Sequence, residues 1–145
     1  MNIPEYITKK EVRRVCLAIG IRDWTVLTEA KVKIEEATVI QKLVGGEALE
    51  ISSEDFQDGL EVELKHGLAF PDANVTNNHP ILTGKIVLAH LKETLEYYTR
   101  LRVAEIEGDM LKASIGNDSE KLMQKYRLWL PAKADLVDRE RDSSR

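Results

Sequence analysis

The stretch "NVTNNHPILTGKIVLAHLKETLEYYTRL" (residues 74–101) passes from an Asn/Thr-rich loop, through a proline, into apolar residues at helical spacing, then paired tyrosines. Pro80 suits the first position of a helix, where its fixed φ helps and its missing N–H costs nothing. At about 100° per residue, Lys85 and Lys92 project to one side. His90 projects nearly opposite, flanked by Thr83, Ile86, Val87 and Thr94. The pattern predicts a helix from Pro80 to about Leu95, with a solvated lysine face and an inward-facing histidine. "EYYTRLRVAEIEGDMLKASIG" continues that helix or begins another after a bend, and ends at Gly116.

Toward the N-terminus, "YITKKEVRRVCLAIGI" places Val12, Val15, Cys16 and Ile19 at helical spacing, with Thr8 as N-cap, Glu11 three places on and Gly20 as the stop. Residues 28–43 fit a second helix ended by Gly45-Gly46, although "TVL" and "KVKI" also alternate as short strands would. "ISSEDFQDGLEVELKHG" opens on Ser52 and Asp55 in capping order and closes at Gly67. After a loop over 68–79, the central helices follow. "SEKLMQKYRLWLPAKADLV" predicts a short amphipathic helix and a docked extended segment. The fold expected is all-α: an irregular bundle of four to five helices, with room for a minor strand pair. It forms one domain over 1–130, and 131–145 is a mobile, solvated extension.

Bulk properties narrow the function. The chain has 145 residues, 43% hydrophobic and 32% charged, which suits a globular domain with a core. A net charge of −4 argues against a dedicated nucleic-acid binder. The basic "KKEVRR" (Lys9, Lys10, Arg13, Arg14) is a local exception, and it reads first as a solvated helix face. One cysteine, Cys16, excludes an intrachain disulfide and a cysteine zinc cluster. No run of about 18 apolar residues suggests a membrane span, and the N-terminus lacks the order of a signal peptide. Asn74-Val75-Thr76 therefore matches a glycosylation sequon by letters alone, and the expected location is cytoplasmic. Gly45-Gly46 lacks the Lys-Ser/Thr of a phosphate loop. His79 reads as a loop or capping residue, and Trp24 and Trp129 as core or interface residues.

One polar cluster stands out. On the third helix Phe56, Leu60, Leu64 and Gly67 share a stripe, and Glu63 falls within it. A carboxylate there must find a partner or be neutralised. His66 lies beside it on the same helix. Antiparallel packing of the third and fourth helices would bring in His90, with Glu93, Tyr97 and Tyr98 within reach. Three readings follow, in descending order. The first is a buried Glu63–His90 pair that fixes helix register. The second is a metal site for Zn²⁺ or Fe²⁺, since Glu63-x-x-His66 has the spacing of carboxylate-bridged bundles, although a full di-iron site needs a second such motif and two further glutamates. The third is acid–base catalysis, which lacks a companion nucleophile.

"FQDGLEVELKHG", "NVTNNHPILTGKIVLAHLKE" and "YYTRL" together resemble an uncharacterised family of small bacterial and tailed-phage proteins. The resemblance covers about 53–101, reaches loosely to "VRRVCLAIGI", and makes 24–50 and 102–145 additions to a common core. It takes in Glu63, His66, His90, Glu93, Tyr97 and Tyr98. Asn78-His79 replaces an acidic pair of that family, and Leu95-Glu96 replaces Pro-Asp. It implies a phage or mobile-element setting, in host cytoplasm or virion, and supplies no reaction. The expected function is that of a non-enzymatic accessory or structural protein without a cofactor, acting through a protein partner or self-association.

Overall fold

The computed structural model describes residues 4–143. Among these the chain is all-helical and holds no strand. The six α-helices are α1 (Lys9–Ala18), α2 (Ile34–Val44), α3 (Ser53–Ala69), α4 (Pro80–Glu93), α5 (Tyr97–Ile115) and α6 (Ser119–Ser143). The helix count exceeds the four or five expected, and the strand pair does not form. The described residues gather into two compact units, divided between His90 and Leu91.

In the first unit α1 starts as its letters predict. The Thr8 hydroxyl accepts the Glu11 N–H at 3.2 Å, and Val12 and Cys16 are buried. Gly20 takes φ +73°, and the Ile21 N–H reaches back to the Cys16 carbonyl at 3.0 Å. This is the glycine-terminated helix end that a positive φ permits.

The chain then departs from the helix expected over 28–43. Residues 27–33 are irregular, and α2 begins only at Ile34. The reason is a set of polar clamps rather than propensity. Glu36, only 4% exposed, accepts the Arg22 backbone N–H at 3.0 Å, the Arg22 Nε at 2.9 Å and Nη2 at 2.7 Å. It also accepts the Lys33 N–H at 3.0 Å, which caps α2 from within. From α3, Glu61 accepts the Val32 N–H at 3.0 Å, and the Gln57 amide donates to the Val32 carbonyl at 2.6 Å. Val32 therefore spends its backbone groups on α3 and is unavailable to a helix. Trp24, which opens the stretch before this segment, is fully buried.

The α2–α3 connection is held in the same way. Buried Gln41 donates to the Ala48 and Ile51 carbonyls at 2.8 and 2.9 Å and accepts the Ser53 hydroxyl at 2.9 Å. Ser52 caps α3 through the Asp55 N–H at 3.1 Å. On α4, Gly84 is the point of closest approach. A Cβ there would meet Ile40 at 2.8 Å, Val44 at 2.9 Å and Phe56 at 3.3 Å. The backbone of α4 thus lies directly on α2 and α3.

In the second unit α5 and α6 form a hairpin turned at Gly116 and Asn117, the latter at φ +53°. Val103, Ala132 and Leu136 form its core, with Ile106 and Trp129 packed on it. Arg100 pairs with Glu140 at 2.7 Å and Lys125 with Asp109 at 2.8 Å. The expected extended segment after the short C-terminal helix is instead helix. α6 continues through Pro131, although an interior proline costs about 3 kcal/mol, because Ala132 and Leu136 beyond it belong to the hairpin core. Of the expected solvated tail, Ser144 and Arg145 lie outside the described residues.

Burial pulls the Glu36 carboxyl up, but the Arg22 guanidinium and the Lys33 and Arg22 N–H groups outweigh it and hold it below the usual carboxylate range. An acid depressed on folding adds stability above its unfolded pKa, and that stability is lost as pH falls through the folded one. Wild-type stability should fall on acidification from about pH 4.5 downward. Removing the guanidinium with Arg22→Ala leaves the buried carboxylate facing only N–H groups. We expect a loss of about 3 kcal/mol at pH 7, with a smaller acid-induced loss than in wild type, because the folded carboxyl no longer lies as far below its unfolded value. Urea denaturation between pH 3 and 8 measures both, and an unchanged pH profile in the variant refutes this account.

Candidate functional site

The cluster read from the sequence does assemble in the first unit. Glu63 Oε1 stands 3.6 Å from His90 Nε2, and its Oε2 4.0 Å from His66 Nδ1. The Glu63 side chain is 16% exposed, His90 30% and His66 42%. The carboxylate is therefore turned inward while both imidazoles reach water. Both separations exceed a direct hydrogen bond and are of ion-pair length.

Gly84 of α4 lies against the Phe56 ring of α3, and His90 lies against Glu63. Glu93, one turn beyond His90, is exposed. Tyr97 and Tyr98 open α5, ring edge to ring face at 5.1 Å and 79°.

Beside the cluster lies an open hollow of about 220 Å³, lined among others by Glu63, His66, Phe70, Asn74, Thr76 and Thr83. Its wall is the loop the sequence marked as Asn/Thr-rich. Asn74 donates to the Gly67 carbonyl at 3.2 Å and to Asn78 Oδ1 at 2.9 Å. The Thr76 hydroxyl donates to Asn74 Oδ1 and accepts the Asn78 N–H, both at 3.2 Å. Asn77 and Asn78 take φ of +48° and +60°, a region asparagine tolerates better than most residues. Asn77 also donates to the Ile7 carbonyl at 2.6 Å, tying the loop to the N-terminal segment. Sequence reasoning placed the loop but missed this network. Its visible signal was Gly67, read as a helix stop.

That glycine does not stop the helix, since α3 runs on to Ala69. It makes room instead. A Cβ at 67 would stand 2.0 Å from Asn78 Oδ1 and 2.8 Å from Asn74 Nδ2. His79 caps α4, its Nδ1 accepting the Leu82 N–H at 3.4 Å. Burial lowers the His79 pKa, which keeps Nδ1 free to accept.

The remaining candidates sit elsewhere. Arg13 pairs with Asp23 at 2.9 Å and Arg14 with Glu11 at 2.6 Å, so these exposed guanidinium groups of α1 already face carboxylates. Cys16 is buried, and desolvation raises its thiol pKa, as expected of an inert core cysteine. Trp24 lies in the core, and Trp129 packs on the hairpin core while donating to Glu107 at 2.9 Å. Among the described residues, no group of three or more His, Cys, Asp or Glu side chains is disposed to hold a metal ion. No helix among them is long and apolar enough to cross a membrane.

A family model described as "Protein of unknown function (DUF5661)" matches residues 12–107. The match is wider than the 53–101 core read from the letters. It takes in residues 24–50, which were expected to be an addition, along with the whole Glu63–His90 cluster. No curated protein and no solved structure matches the chain.

Gly67→Ala tests the braced loop. Alanine normally gains up to about 1 kcal/mol over glycine inside a helix. Here the methyl must displace the buried Asn78 side chain, and we expect a net loss of about 1–3 kcal/mol in chemical denaturation. A stabilised Gly67→Ala protein would show that the loop does not rest on this glycine.

Proposed function

The chain belongs to the DUF5661 family, and from that premise we propose that it is a non-enzymatic accessory protein of a phage or mobile element, acting through protein contacts. The observation that carries this reading is the outer surface of the α5–α6 hairpin. Leu111, Ile115, Met123 and Leu128 each leave half or more of their surface in water. On α6, Met123, Tyr126, Leu130 and Val137 are exposed and recur at helical spacing on one stripe. Single exposed apolar residues are ordinary, whereas a stripe suits a partner surface. The Glu63–His90 pair serves as a polar lock between α3 and α4, fixing how the first unit is assembled.

A second reading rests on one specific feature: one carboxylate lies within 4.0 Å of two imidazoles on two helices. A protein binding Zn²⁺ or Fe²⁺ through Glu63, His66 and His90 could start from that arrangement. The two readings part on one experiment, metal analysis and urea denaturation of untagged protein and its His90→Ala variant. For a lock we expect no stoichiometric metal and a loss of about 1–2 kcal/mol in the variant. One equivalent of metal in the wild type, absent from His90→Ala, would overturn the accessory-protein reading.

A further inference from the structure

Between Lys121 and Lys133 the stretch "KLMQKYRLWLPAK" carries four cations, Lys121, Lys125, Arg127 and Lys133, and no acidic residue. In a chain of net charge −4 it is a basic exception. It is helix throughout, about 20 Å long at 1.5 Å per residue. Two of its charges are engaged inside the hairpin. Lys125 pairs with Asp109 at 2.8 Å, and Lys121 bears on the same carboxylate. Arg127 and Lys133 are exposed and enter no ion pair among the described residues. At about 100° per residue, Met123, Tyr126, Leu130 and Val137 fall within an arc of about 60°, with Lys133 on one edge and Arg127 on the other. Ala132 and Leu136, which face the hairpin core, project well away from it. All four apolar side chains are 40% exposed or more. Tyr126 is held in place, its ring stacked on Trp129 at 5.9 Å, and Trp129 is fixed in turn by its hydrogen bond to Glu107 at 2.9 Å. A pre-placed aromatic beside an arginine is the composition enriched at interface hot spots, where little side-chain entropy remains to be lost on binding.

Those two charges select the occupant. The same stretch of a second copy, laid over this one in either direction, sets cation against cation, because it has no acid to offer. A flat anionic lipid surface would meet the hairpin face all at once, with Glu107 beside Trp129 and Glu120 in the first turn of α6, and carboxylates are repelled there. A single narrow segment along α6 meets the acid-free stretch alone. An apolar stripe with a cation on each edge complements a helix whose own apolar stripe has acids on both edges. We infer that this face of α6 receives an acidic amphipathic helix of a partner protein. Its apolar side chains cover Met123, Tyr126, Leu130 and Val137, and its carboxylates reach Arg127 and Lys133. The inference deepens the protein-contact reading and rests on it.

Fluorescence anisotropy of labelled peptides titrated with the full chain tests it. The probes are two helical peptides of about 15 residues with the same leucine stripe, one flanked by glutamates and the other by lysines. We expect the glutamate peptide to bind with a Kd of roughly 10–100 µM, the range of small transient interfaces. The lysine peptide should bind at least about tenfold more weakly, and salt at about 0.5 M should weaken the glutamate peptide several-fold. Arg127→Glu combined with Lys133→Glu, both at exposed sites, should weaken it about tenfold with the melting curve unchanged. Leu130→Ser should weaken it without any change of charge. No binding of the glutamate peptide, equal binding of both peptides, or indifference to the double charge reversal overturns the inference. So does uptake of the protein by vesicles with about 30% phosphatidylglycerol that the double variant loses, which makes lipid the occupant. A dimer in sedimentation that the double variant loses also overturns it, in favour of a second copy. The metal measurement is separate. A metal-free protein that ignores the glutamate peptide removes the acidic partner alone, and a metal-loaded protein that binds it removes the accessory reading while keeping this face.

Discussion

Taking the Glu36 carboxylate out of water is costly, and the first unit is organised around repaying that cost. A buried carboxylate is tolerated when every lone pair is engaged. Four donated hydrogen bonds, three of them from Arg22, meet that demand. Because Arg22 supplies both its backbone and its guanidinium, the turn after α1 is fixed relative to α2. The consequences run outward through packing. Glu36 sets where α2 begins, and Ile40 and Val44 one and two turns later form the floor on which Gly84 sits. Gly84 in turn sets the height and rotation of α4, and His90 follows from it against Glu63. The ion-pair contact at the candidate site is thus the last link of a chain that starts at a different carboxylate.

The second constraint is steric. Two helical glycines, Gly67 and Gly84, mark places where another part of the chain comes too close for any side chain. At Gly84 the neighbour is apolar, and the contact is ordinary core packing. At Gly67 the neighbours are amide groups, so the glycine lets a hydrogen-bonded loop lie on the flank of α3. Ordering that loop costs backbone entropy, on the order of 1–2 kcal/mol per residue. Asparagine lowers the penalty twice, by tolerating positive φ and by supplying both donor and acceptor from one short side chain. The hollow beside Glu63 and His66 is walled by this loop, which lies against α3 at Gly67.

How much of this could be read from the letters depended on whether local periodicity and long-range contacts agreed. Where they agree, as in α1, α3 and α4, caps and spacing gave the element and its buried face. The inward turn of Glu63 followed from projection alone, whereas His90, expected to face inward, reaches water. Where they conflict, periodicity misled. "KVKIEEATVIQKL" looks helical from its start, but Val32 is claimed by Glu61 and Gln57, about thirty residues away. Pro131 reads as a break, yet the burial of Ala132 and Leu136 carries α6 across it. Gly67 reads as a stop because a short window cannot show that a loop ten residues later needs the space.

The family match ends at residue 107, inside α5. Glu36, Gln41, Gly67, Gly84, Glu63 and His90 all fall within it. These residues fix one assembly of the first unit, and all act through contacts internal to that unit. The exposed apolar residues Leu111 and Ile115 and the stripe along α6 fall beyond it. A surface outside the matched region is free to vary without disturbing the clamp at Glu36 or the loop on Gly67, because none of those contacts draws on it. On the proposed reading, the matched part therefore supplies a rigid platform, and the hairpin beyond it determines what the platform is joined to.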